Sequence, residues 1–204
     1  MLKEKINYLS LGILTVLTLG SGALLTADGA DAEGSSVGAT VTVNSACSLE
    51  PETSNYAIEL GPGTRQEIEA TTILATCNDA NGFAIYAVGY TDSEMGKNIL
   101  SRPDGFSIAT GTAEAGENSS WAMKVSAVPG TYPVTIQNGF DTFKAVPSAY
   151  TMVASRPSST DKTEGSSFQT SYAVYAAGSQ AAGTYSGAVK YVLVHPSNAE
   201  APQE

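Results

Sequence analysis

Cys47 and Cys77 are the residues of most definite chemistry in this 204-residue chain, which contains no other cysteine. A thiol pair can close a structural disulfide, run redox chemistry or contribute to a metal site. Redox work favours a C-x-x-C pair and metal binding needs further soft ligands. Here the cysteines are far apart and the chain's one histidine, His195, is remote from both. The pair is therefore expected to form a structural disulfide. An even, minimal cysteine set carries that meaning in an oxidising compartment. The closed loop of about 30 residues would contribute roughly 3 to 4 kcal/mol, set against about 5 to 15 kcal/mol for a typical domain.

The other candidates for chemistry read more plainly as structure. Glu67 and Glu69, two apart on a strand, would place their Cα atoms roughly 6.5 to 7 Å apart, a separation that a glycosidase could use. The same spacing describes the solvated face of a strand, and nothing in the sequence raises either pKa. Asp92 and Glu94, in a turn, read the same way. His195 stands against Pro196 at the start of the tail, and no Gly-x-Ser-x-Gly elbow occurs, so no hydrolase triad and no enzyme is expected. Asn78-Asp79-Ala80-Asn81-Gly82 offers oxygens for calcium but lacks the rest of an EF-hand loop. No metal or cofactor is expected, and Asn81-Gly82 instead predicts a type I′ hairpin turn. The single Trp, Trp121, is a candidate for stacking on a sugar ring, although its alternation with Met123 and Val125 places it on an apolar face. Tyr86 and Tyr90 share a face with Val88 and read as packing. Asn118-Ser119-Ser120 fits the N-glycosylation pattern.

The elements that position these residues begin with an export segment. Lys3 and Lys5 precede an apolar run from Leu9 to Ala27, and Ala30-Asp31-Ala32 has the small-residue form that signal peptidase accepts. Residues 1–32 are expected to form a signal helix, with the mature chain starting at Glu33. The run also approaches the roughly 20 residues that span a bilayer, so an uncleaved anchor is the alternative, and it would be the chain's one contact with a membrane. Losing Lys3, Glu4, Lys5, Asp28 and Asp31 moves the net charge only from −10 to about −9. Such a chain repels nucleic acid and anionic membrane surfaces. It is expected to be secreted or held at the cell surface.

Residues 33–195 have the size of one domain, and their apolar residues recur with a period of two. Val37, Ala39, Val41 and Val43 alternate with small or polar residues. Trp121, Met123, Val125 and Ala127 oppose Ala122, Lys124 and Ser126. Phe168, Thr170, Tyr172 and Val174 form one face, as do Val189, Tyr191 and Leu193. Turn signals separate such runs at Gly61-Pro62-Gly63, Asn81-Gly82, Pro103-Asp104-Gly105, Pro129-Gly130, Asn138-Gly139 and Gly178-Ser179. No helical repeat is sustained. The pattern predicts an all-β antiparallel sandwich or barrel, with Cys47 ending a first strand, an exposed loop over residues 155–167 and a disordered tail over residues 196–204.

One stretch runs Ala39-Thr40-Val41-Thr42-Val43-Asn44-Ser45-Ala46-Cys47, then Ile58-Glu59-Leu60-Gly61, then Thr71-Thr72-Ile73-Leu74-Ala75-Thr76-Cys77. Ahead of a terminal Ala182-Gly183-Thr184-Tyr185-Ser186-Gly187-Ala188-Val189, this order resembles the secreted immunoglobulin-like domains of the spore coat protein U and chaperone-usher pilin group. The likeness covers both ends of the chain better than residues 92–167. It implies an immunoglobulin-like β-sandwich, a first cysteine paired with one on the next strand, and a non-catalytic structural or adhesive role at the cell surface. It also implies protein partners and self-assembly by strand addition, in which main-chain hydrogen bonds supply affinity. Val37, Ala39, Val41 and Val43 are the strand-donor candidate; the same arm also reads as the first strand of its own sandwich. A secreted carbohydrate-binding module, with a glycan as ligand and Trp121 as its stacking residue, is the alternative.

Overall fold

The computed structural model describes residues 47–52, 57–78, 81–91, 94–95, 97–130, 132–157, 165–195 and 202. The chain divides into Met1–Val41, outside the described residues, and Thr42–Glu204, whose described part is all-β. The expected export segment (1–32) and the arm carrying Val37, Ala39, Val41 and Val43 therefore lie outside the described residues. Among the described residues no helix is long and apolar enough to cross a membrane.

Twelve strands follow in order: β1 (Cys47–Pro51), β2 (Thr64–Cys77), β3 (Phe83–Thr91), β4 (Glu94–Met95), β5 (Leu100–Ser101), β6 (Ser107–Thr110), β7 (Ser120–Ala127), β8 (Thr135–Ile136), β9 (Lys144–Ala145), β10 (Thr151–Arg156), β11 (Ser166–Ala176) and β12 (Ala188–Val194). A seven-stranded sheet has the order β1-β2-β11-β7-β6-β5, with β9 also on β7. A five-stranded sheet has the order β12-β3-β10-β8, with β4 on β3. The sheets face one another across a core in which Ile73, Ala75, Cys77, Met123, Val125 and Phe168 from the first meet Phe83, Ile85, Ala87 and Val153 from the second.

The cysteines are bonded. Cys47 stands directly opposite Cys77 in the β1–β2 register, and the two sulfurs form the disulfide. Cys77 ends its strand as the sequence suggests. Cys47 opens the first described strand, where the sequence pattern had it closing one. Cys77 is buried and Cys47 exposed, so the bond joins the core to an edge strand.

A phase change in β2 explains why its alternation is hard to read. Ile68 faces inward at an even position, whereas Thr71, Ile73, Ala75 and Cys77 are buried at odd ones. The pairing with β11 skips at this point: Thr170 faces Thr71 but Ser171 faces Glu69, leaving Ala70 as the extra residue of a bulge. One inserted residue turns every later side chain to the other face. β11 keeps its phase throughout, with Phe168, Thr170 and Val174 buried and Tyr172 half-buried on the expected face.

The outer face of the first sheet is not simply polar. Ala113, Ala122 and Ala173 are fully buried there under Phe143, and the Arg65 guanidinium and the Lys124 ammonium lie 5.4 and 4.9 Å from its ring centroid. Arg65 Nε donates to the Ala113 carbonyl at 2.7 Å, and Tyr175 donates to that of Gly116 at 3.0 Å. Ala122 stands on the face opposite Trp121 and Met123, as its alternation indicates, and is covered by these loops.

Two further expectations are corrected. Asn81-Gly82 is not a hairpin turn, because β2 and β3 belong to different sheets and the segment carries the chain between them. The expected loop at residues 155–167 is shorter: Ser155 and Arg156 end β10, Ser166 and Ser167 begin β11, and Arg156 is buried against the rings of Phe83 and Tyr132. The Pro103-Asp104-Gly105 turn does join paired strands β5 and β6, with Gly105 at φ 91°.

The disulfide closes a 30-residue separation. Replacing both cysteines, as Cys47→Ala with Cys77→Ala, is expected to lower unfolding free energy by about 3 to 4 kcal/mol. Urea denaturation measures it, and an unchanged midpoint would contradict a stabilising role.

Candidate functional site

At one end of the sandwich the inner face of the first sheet extends beyond its cover and bounds a cavity of about 700 Å3. Its floor crosses five neighbouring strands: Ile68 on β2, Tyr172 and Val174 on β11, Trp121 on β7, Ile108 on β6 and Leu100 on β5. Residues 57–60 and 183–189 form the opposite wall. Ile58 and Leu60 pack inward while Ala57 and Glu59 are exposed, an alternation that marks 57–60 as an extended strap.

Trp121 anchors the floor. It is 4% exposed, its indole Nε1 donates to the Asn98 carbonyl at 2.8 Å, and its ring centroid lies 6.2 Å from that of Tyr172. Asn98 is held by its own Nδ2, which donates to the Val146 carbonyl at 2.6 Å. Close approach of backbone makes this possible: a Cβ on Gly89 would lie 2.5 Å from Asn98 Cα. Trp121 is thus a core residue, as its alternation indicates, and its burial prevents stacking on a sugar at the surface.

The aromatic hydroxyls around the cavity are already bonded. Those of Tyr172 and Tyr191 lie 3.2 Å apart, linking β11 to β12 across the sheets. Tyr185 donates to the Ala181 carbonyl at 2.7 Å and accepts from Gln180 Nε2 at 2.6 Å. Ser101 and Ser186 exchange both backbone hydrogen bonds, at 2.8 and 2.9 Å, and fasten the 183–187 wall to β5.

Beside the mouth, the Arg102 guanidinium lies 5.3 Å from the Phe106 ring centroid and 5.5 Å from that of Tyr185. It pairs with the Asp104 carboxylate and donates to the Ala182 carbonyl. The hydrogen bond with Tyr185 holds its pKa above the ordinary arginine value, so it is charged throughout the working pH range. Gly183, at φ +149°, lies against it; a Cβ there would sit 2.6 Å from an Arg102 nitrogen. Phe106 is 52% exposed.

The remaining candidates are dispersed. Glu67 and Glu69 are exposed on the outer face, Glu67 paired with Arg65 and Glu69 accepting from Gln169 at 3.3 Å. His195 directly follows β12. Asp79 and Ala80 of the calcium candidate and Asp92 lie outside the described residues. Among the described residues no group of three or more His, Cys, Asp or Glu side chains is gathered for a metal. Tyr86 and Tyr90 are half-buried, with Val88 fully buried. Sequence reasoning singled out Trp121 but not Leu100, Ile108 or Tyr185 beside it, because three strands and a loop from separate parts of the chain line the one cavity. The alternating Ile58-Glu59-Leu60 was the local signal for the strap.

Comparison with known proteins found no matching family model, no matching curated protein and no matching solved structure.

Two substitutions test the site's construction. Trp121→Ala is expected to destabilise the domain by about 3 to 5 kcal/mol, read by thermal or urea melts. Gly89→Ala should displace Asn98, cost about 1 to 3 kcal/mol, and shift the emission of the single Trp to the red; unchanged emission would show that the Asn98 bond is not held in this way.

Proposed function

We propose that this chain is an exported, non-catalytic structural or adhesive component of the cell surface, an immunoglobulin-like sandwich of the spore coat and pilin type. Its assembly uses the arm with Val37, Ala39, Val41 and Val43, which adds as a strand to a sheet of a neighbouring copy.

The observation that supports this most directly is the placement of the disulfide. Cys47 is the first residue of edge strand β1 and is bonded to Cys77 of β2. Tension on the arm passes through sulfur to Cys77 and into β2, which is paired with β11 along eleven register positions, from Thr64↔Ala176 to Ala75↔Ser166. The few hydrogen bonds of β1 are thereby spared the load. A disulfide also accords with an oxidising, extracytoplasmic location. Pro51, at the other end of β1, removes one donor from that strand, a common protection of sheet edges. The carbohydrate-binding alternative loses its surface residue with the burial of Trp121.

Mass spectrometry of the exported protein is expected to find an N-terminus at Glu33, and sedimentation of that form should show oligomers that Val41→Asp dissociates into monomers. A stable monomer at all concentrations would overturn the assembly.

A further inference from the structure

We infer that the cavity floored by Trp121 is a binding site for a single acyl chain carrying a neutral polar head. The reasoning rests on shape, on hydrogen bonding and on charge. The floor residues lie on five adjacent strands of one sheet, from Ile68 on β2 to Leu100 on β5. With about 4.8 Å between strands, this is a span of roughly 19 Å. That floor is long enough for an extended chain, and the space over it has a volume of about 700 Å3. The volume lies within the ordinary range of ligand sites.

Hydrogen bonding then selects among elongated ligands. Ile68, Ile108, Val174 and Leu100 offer only carbon, and the polar atoms of Trp121, Tyr172 and Tyr185 are bonded to Asn98, Tyr191, Ala181 and Gln180. A sugar would leave its hydroxyls unmet on this floor. Over this floor an extended peptide would do the same with its backbone, because the floor is a sheet face and not an edge with free ladder groups. An acyl chain has nothing to satisfy. The mouth is different: Glu59, Thr184, Ser186 and Gly187 are exposed there. These supply a hydroxyl- and peptide-lined rim with one carboxylate, beside an Arg102 already paired to Asp104. On a chain of net charge −10, that rim suits a glyceride or other uncharged ester head and disfavours a free carboxylate.

Trp121, the chain's single Trp, reports directly on occupancy. The monomeric protein would be titrated, below micelle-forming concentrations, with a monoacylglycerol brominated along its chain. Saturable quenching of Trp121, reversed by the unbrominated parent, is expected, with weaker quenching by the brominated free fatty acid at neutral pH. Ile68→Phe and Val174→Phe fill the cavity and should abolish quenching while the melting transition persists; the half-buried site of Ile68 keeps the test valid if Val174→Phe does not fold. Absence of saturable quenching, quenching retained in a folded filled variant, or displacement of the lipid by a peptide of residues 33–46 would overturn the proposal. Equal quenching by the fatty acid would overturn its neutral-head part. Apart from the peptide competition, none of these outcomes depends on whether the chain assembles.

Discussion

The double pairing of β11 is the constraint on which the rest of the sandwich depends. This strand lies between β2 and β7, antiparallel to both, and its side chains alternate without interruption. Phe168, Thr170 and Val174 are buried between the sheets, and Ala173 is buried on the opposite side beneath Phe143. A strand covered on both faces and bonded on both edges cannot shift register without exposing apolar side chains and breaking two ladders. Its neighbours adapt to it. The bulge at Ala70 belongs to β2, and it brings both Ile68 and Ile73 to the core although they are an odd number of residues apart.

The cavity follows from the unequal sheets that β11 organises. Seven strands face five, and part of the wider inner face is covered by the 57–60 strap and by residues 183–187, which lead into β12. Neither cover is left loose. The Ser101–Ser186 exchange fixes one, while Ile58 and Leu60 pack the other onto the core. A smaller residue at Gly89 than any other side chain would allow lets Asn98 reach Trp121, so the backbone of the second sheet sets the position of an indole in the first.

The disulfide and the cavity occupy different parts of the same long strand. Cys77 ends β2, whereas Ile68 lies on the other side of the bulge. The bond lies at the edge strand and the cavity on the inner face of the sheet, so the proposed assembly and the proposed ligand binding would use separate parts of it. The link between them is the rigidity of β2 against β11.

Much of this was legible in the amino acids. The alternation of β7 and β11 gave the correct inward faces because those strands run without bulges. The cysteine count and spacing led to the bond because no competing chemistry had the residues it needs. Pro103-Asp104-Gly105 marked a true turn between paired strands. The sequence alone therefore determined the all-β class, the disulfide and the burial of Trp121, since each depends on local periodicity or residue type. Only the tertiary structure decided that Asn81-Gly82 joins two sheets, that Ala122 lies under Phe143, that β2 changes phase at Ala70, and that Ile68, Ile108, Leu100 and Tyr185 enclose one space. These facts depend on which strands become neighbours, and a period of two specifies the face of a strand without specifying its partner.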